Sequence, residues 1–349
     1  MNLERKIIKI LVLTLILNLT MVTAVMAKLP KTTTSPPTPQ TLPGVKPIFS
    51  SSFIQYWYAQ DWDLNRWTQE LSMLHNTGIN EIILQDIADT KAMYAAYPTQ
   101  IPGYTFNEVD MVGNALTAAD SLNMKVRIGL GFNGDWWKVN ASNMNWLNVE
   151  ASKNKLIVDE IVDVYGTHPS LGGWYIPYEF SQLSARSMIY QNNLNNFYKQ
   201  VAAEIQLKST LNIMIAPFYN SKYSYLVSLS GWPKMLKNIL NGTGIQIVAL
   251  QDSVGAGYNT LSQAKNLFKY TKKATDDMGM TLYADNETYT SKSSGNVTAT
   301  QSDIQGRISA AAPYVQGFIA FSIDHYQNKN ETSQVSNYNY YYNYYLRYK

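Results

Sequence analysis

The 349-residue sequence contains no cysteine. That absence excludes disulfides, thiolate zinc sites and a cysteine nucleophile. Stability must then come from a packed core, which a domain of this size can supply. Histidine is nearly as scarce. His75, His168 and His325 stand far apart with no HxH or HExxH pair, so no His-ligated catalytic metal is expected. No calcium loop of the DxDxDG type occurs either, and no cofactor is expected. Beyond residue 27 no apolar run approaches the length that spans a bilayer.

What is present begins with a leader. Arg5, Lys6 and Lys9 precede an apolar run from Ile10 to Val25, and Val25-Met26-Ala27 offers small residues to a signal peptidase. Residues 1–27 therefore read as a signal peptide cleaved after Ala27, leaving a secreted chain without a transmembrane segment. Residues 28–45 include LPKTTTSPPTPQTLPG, a Pro/Thr-rich stretch with no apolar periodicity. It reads as a disordered linker that could hold the folded part away from a surface. Residues 46–349 then form one domain with no second break. After cleavage the chain carries 25 basic and 24 acidic residues. Such near-neutrality argues against a nucleic-acid partner.

Short β-branched runs alternate with longer amphipathic ones through this domain, the pattern of repeated βα units. Eight strands are expected at Ile48–Gln55, Glu81–Gln85, Lys125–Leu130, Gly172–Ile176, Asn212–Ala216, Ile245–Gln251, Thr281–Asp285 and Gly317–Ser322. Leu64, Trp67, Leu71 and Leu74 recur at helical spacing before Gly78, as do Leu194, Phe197, Val201 and Ile205. Eight such units predict a single (β/α)8 TIM barrel. The tyrosine-rich C-terminus, Tyr338 to Tyr348, reads as a closing helix packed on the barrel, since large aromatics usually bury most of their area.

In such a barrel the chemistry sits at the C-terminal strand ends. Polar residues gather there: Gln55, Gln85-Asp86, Asn133, Tyr178-Glu179, Tyr219-Asn220, Gln251-Asp252, Asp285-Asn286-Glu287 and Asp324. Glu179 and Glu287 each end a largely apolar or aromatic run, a setting that desolvates a carboxyl and raises its pKa. Glycosidic cleavage needs two such groups in different protonation states. The two glutamates are therefore the expected catalytic pair, on strands able to face one another across the mouth. Trp57, Trp136 and Trp137 could stack on the apolar faces of sugar rings. Gln85, Asn133, Tyr178, Tyr219, Asp252 and Asp285 are expected substrate contacts. Asn286-Glu287-Thr288 also matches a glycosylation sequon, but its place on a strand argues against use.

The strings FIQYWYAQDWDLNRWTQELSMLHNTGINEIILQ, GGWYIPYEF, IVALQDSVGAG and LYADNETY resemble a secreted bacterial family of glycosidase-like TIM barrels, domain of unknown function 4434, over about Phe49 to Tyr326. That family is in turn similar to the clan of retaining glycosidases with glutamates after strands four and seven. The resemblance implies that Glu179 is the acid/base and Glu287 the nucleophile. The clan places Asn before its strand-four glutamate, where this chain has Tyr178, so Asn133 or Asn220 would have to meet the sugar 2-hydroxyl. The leading expectation is an extracellular glycoside hydrolase acting on a poly- or oligosaccharide. A non-catalytic carbohydrate-binding barrel at the cell surface is the alternative. A metal-dependent hydrolase built on Asp86, Asp252, Asp285 and Asp324 is a third reading.

Overall fold

A computed structural model describes residues 38–349. The expected signal peptide and the first part of the expected linker lie outside the described residues. Eight parallel strands close into a barrel. They are β1 (Ser51–Ile54), β2 (Glu81–Leu84), β3 (Lys125–Gly129), β4 (Leu171–Tyr175), β5 (Ile213–Ile215), β6 (Ile247–Gln251), β7 (Thr281–Glu287) and β8 (Gly317–Phe321). Each neighbours the next, and β8 closes on β1 through Ser51 opposite Ile319. The single TIM barrel read from the sequence is the fold. Its strands fall where the apolar runs placed them, mostly trimmed at their ends, while β7 extends to include Glu287.

Eight principal helices wrap the barrel. They are α1 (Leu64–Asn76), α2 (Met111–Leu122), α3 (Met144–Tyr165), α4 (Met188–Lys208), α5 (Trp232–Leu240), α6 (Leu261–Met278), α7 (Gln301–Ala311) and α8 (Val335–Tyr345). Local chemistry sets their starts. The Asp63 carboxylate accepts the Arg66 N–H at 2.7 Å, and Thr260 with Gln263 forms a capping box on α6. Gly279 ends α6 in the left-handed conformation at φ +68°. Trp67, Leu71 and Leu74 of α1 are buried as its periodicity predicts, but Leu64, in the first turn, is exposed. No described helix is long and apolar enough to cross a membrane.

Alternation along the strands divides the core in two. Phe53, Ile83, Tyr175, Met214, Ala216, Ile247, Ala249 and Ile319 fill the barrel, and the larger cluster lies between strands and helices. Polar groups cross the barrel's lower interior. Arg127 reaches Glu81 at 2.9 Å and donates to the Asn212 carbonyl at 2.9 Å. Gly173 makes room for this arginine, because a Cβ there would stand 2.2 Å from its Nη1. On α8, Tyr338, Tyr341 and Tyr344 are buried. The Tyr341 hydroxyl accepts the Phe49 N–H at 2.9 Å, and Tyr344 donates to the Pro47 carbonyl at 2.7 Å. The tyrosine-rich segment is thus a packed closing helix.

The string Gly129-Leu130-Gly131-Phe132-Asn133-Gly134 has the spacing of a dinucleotide-binding turn. Here it follows a strand of a closed barrel. Gly131–Phe132 joins Ala88–Asp89, Tyr94–Ala95 and Thr105–Phe106 in a small sheet over the mouth. That sheet pins the loops after β2 and β3.

Candidate active site

The C-terminal mouth holds a cavity of about 210 Å³. Gln55, Tyr56, Trp57, Gln85, Asp86, Phe132, Trp137, Pro177 and Glu179 line it. Tyr56 and Trp57 stand on a helical turn, Tyr56–Ala59, directly after β1. Gln55 donates to Gln85 at 2.6 Å, which ties the ends of β1 and β2 together. Trp57 and Trp137 are the exposed aromatics of the wall, at 56% and 50%.

Glu179 lies on the loop after β4. Its Oε1 accepts the Tyr175 hydroxyl at 2.9 Å. The Trp136 indole N–H donates to its backbone carbonyl at 2.8 Å. Burial pushes the Glu179 carboxyl up to about 7, against the pull of hydrogen bonds from Gln251 and Tyr175. Asp86, on the same cavity, is raised to about 8 by burial and then by the charges of Asp89 and Glu179.

Glu287 ends β7 and is only 4% exposed. Its Oε2 accepts the Ala256 N–H at 2.8 Å, and its Oε1 accepts the Tyr289 hydroxyl at 3.0 Å. Burial and Asp252 raise it to about 8. The loop after β6 comes this close because residue 255 is glycine. A Cβ there would stand 2.2 Å from the Tyr289 carbonyl oxygen and 2.8 Å from Glu287 Oε2. Arg307 of α7 clasps the same corner through the carbonyls of Glu287 and Tyr289, the latter at 2.7 Å. Two residues before Glu287 and on the same side of β7, Asp285 is buried, with one carboxyl oxygen lacking a partner. Burial, then Glu179, Asp252 and Glu287, hold it well above the usual carboxylate range.

Of the residues expected from sequence, the cavity brings together Trp57, Gln85, Trp137 and Glu179. Glu287 and Asp285 are buried and do not line it. Five expected sugar contacts are instead structural. Trp136 is fully buried with its N–H committed to Glu179. The Tyr178 hydroxyl donates to Glu150 at 2.9 Å, and Tyr219 donates to the Val227 carbonyl at 2.9 Å. Asn133 is spent on Glu150 and on the Asp135 N–H. Asn220 is buried, and its amide oxygen accepts the Lys222 N–H. Asp252 is fully buried, holding the Val254 N–H and the Asn286 amide at 2.8 Å each. Asn286 is thereby sequestered from glycosylation.

Sequence reading missed Tyr175, Tyr289 and Arg307, and named Gln251 only as a polar strand end. Strand alternation turns Tyr175 and Gln251 inward, a signal within reach. Arg307 comes from a helix twenty residues past Glu287, and nothing in its neighbourhood announces it. Among the described residues no group of three or more histidines or carboxylates is arranged to hold a metal ion.

The family model Domain of unknown function (DUF4434) matches residues 49–334. The chain belongs to this family. No curated protein matches the chain. DUF4434 here shares its barrel with several solved structures. A candidate alpha-L-fucosidase from Bacteroides thetaiotaomicron VPI-5482 superposes with a TM-score of 0.72 at 21% identity, over 92% of this chain and 99% of that one. An endo-1,4-beta-mannanase from Rhizomucor miehei gives 0.55 at 14%, over 82% and 89%. A GH18 chitinase from Pseudoalteromonas aurantia gives 0.51 at 13%, over 83% and 98%. At such identities the likeness establishes the fold of this DUF4434 chain.

Proposed function

We propose that this DUF4434 protein is an extracellular glycoside hydrolase, with Glu179 as its proton donor. The observation that carries the reading is a carboxyl held up to about 7 on the wall of an open cavity flanked by Trp57 and Trp137. A group at that pKa is still partly protonated near neutrality and can protonate a departing glycosidic oxygen. Flat amphipathic rings beside it suit the apolar faces of a sugar. The glycosidase names borne by structures of the same fold agree with the reading.

Glu287 is the second carboxylate of the proposal. The Ala256 N–H and the Tyr289 O–H would stabilise its anion and fix its orientation. In a retaining reaction Glu287 attacks the anomeric carbon as Glu179 gives its proton to the leaving oxygen. Water then enters, Glu179 takes one of its protons, and the glycosyl–Glu287 ester bond breaks. With Asn133 committed to Glu150 and Asn220 buried off the lining, Gln55 and Gln85 are the amides that line the cavity.

The test is hydrolysis of a glycan panel by the wild type, Glu179→Gln and Glu287→Gln. Each substitution is expected to lower kcat by on the order of 100-fold or more. Undiminished turnover in Glu179→Gln overturns the proton donor. Undiminished turnover in Glu287→Gln alone removes Glu287 from the pair. Glycan binding without any turnover would make the protein a carbohydrate-binding barrel.

A further inference from the structure

The cavity wall has an imbalance of charge that glycosidic cleavage does not use. Several other carboxylates drawn into the fold have partners, though Asp285, deeper beneath the mouth, does not. Glu70 pairs with Arg66 at 2.7 Å, Glu81 with Arg127 at 2.9 Å and Glu150 with Lys153 at 3.2 Å, while Glu160 accepts the Tyr97 hydroxyl at 2.9 Å. Asp86 lines the cavity, yet among the described residues it gains no hydrogen bond and no cation. No lysine, arginine or histidine lines the cavity at all. Lys91 and Lys138, on the loops after β2 and β3, are both drawn to Asp135, at 2.8 and 3.3 Å. Around Asp86 stand Tyr56, Trp57, Phe132 and Trp137, whose ring faces attract cations.

We propose that the sugar bound in this cavity carries an unsubstituted amine, with Asp86 holding its ammonium group between the aromatic walls. The inference rests on the glycosidase reading and names its substrate class: glycans containing a hexosamine with a free amine. A uronic or sulfated sugar would meet Asp86 and Glu179 with no counter-charge. A neutral sugar gives Asp86 no cation and leaves its carboxyl protonated near neutrality, whereas an ammonium group would stabilise the carboxylate. An ammonium group supplies both a hydrogen-bond donor and the missing positive charge, in a partly desolvated site where each counts for more than in water.

The experiment is a calorimetric titration of the wild-type protein, near neutral pH and low salt, with three sugar pairs. These are glucosamine and glucose, galactosamine and galactose, and mannosamine and mannose. At least one amine is expected to bind on the order of tenfold more tightly than its hydroxyl partner. That advantage is expected to shrink with added salt and to vanish on N-acetylation. In Asp86→Asn the ratio within the pair should fall towards one, and in Asp86→Glu it should be kept in part. No preference for the amine in any pair, weak or absent binding included, overturns the inference without recourse to a variant. So does a preference that Asp86→Asn leaves intact. The glycan panel separates the two ideas. Cleavage without amine preference removes only this inference, and amine preference without cleavage removes only the hydrolase.

Discussion

Glu179 and Glu287 meet their surroundings differently. One faces an open cavity and is raised to about 7 by burial, and the other is enclosed and raised to about 8 by burial and Asp252. In the proposed reaction the first must be protonated and the second ionised. Below about pH 7 both carry protons and above about pH 8 both are ionised; between them the proton sits mainly on Glu287, so the active form with its proton on Glu179 is a minority species, most populated near 7.5. The kcat/KM profile should therefore be a bell centred at about 7.5, its limbs set by the two glutamates. A profile measured across this range that peaks near pH 5 would contradict the assignment. Asp86 offers a second check. Its folded pKa of about 8 stands above an ordinary value of about 4, so the native state holds an extra proton between them. Stability contributed by that group is full below about pH 4 and is lost as pH rises through 8. Asp86→Asn removes this loss. Its melting temperature should gain on the wild type by on the order of a few degrees between about pH 5 and pH 8.5. A constant gap across that interval would refute the burial argument.

The loop after β3 shows what adjacent residues conceal. Trp136 and Trp137 are neighbours in the same short helical turn, Trp136–Val139, yet one is fully buried and the other half exposed. Trp136 is a positioning residue through its bond to the Glu179 carbonyl. Trp136→Phe keeps most of the packing and loses that bond. Its kcat should fall by about tenfold while KM changes little, and a pure packing role would instead show as lost stability with normal kcat. The same element explains what could be read from the chain alone. Strands such as Ile247–Gln251 are continuous apolar runs bounded by polar residues, and their number and spacing specify a barrel. Polar strand ends locate the mouth for the same reason. Which side chains enter it depends on loop geometry: Tyr178 turns into the core to meet Glu150, while Glu179, one residue on, turns to the cavity. Sequence alternation does not extend through such a loop, so Tyr178, Tyr219 and Trp136 could not be separated from true cavity residues.

The whole molecule depends on its closing helix as much as on its sheet. Tyr341 is fully buried, and its hydroxyl satisfies the Phe49 N–H just ahead of β1. Tyr341→Ala should cost about 3–5 kcal/mol, read as a lower midpoint in urea unfolding, because it opens a cavity and orphans a buried donor. A loss below about 1 kcal/mol would mean that α8 is an accessory. At the opposite extreme from the mouth, Arg127 and Glu81 span the interior below the apolar layer of Phe53, Tyr175 and Ile319. The cylinder is thus plugged below its mouth. In the proposed hydrolysis a released sugar leaves across the same open mouth that admits the next one, so the two compete and accumulated product should slow turnover.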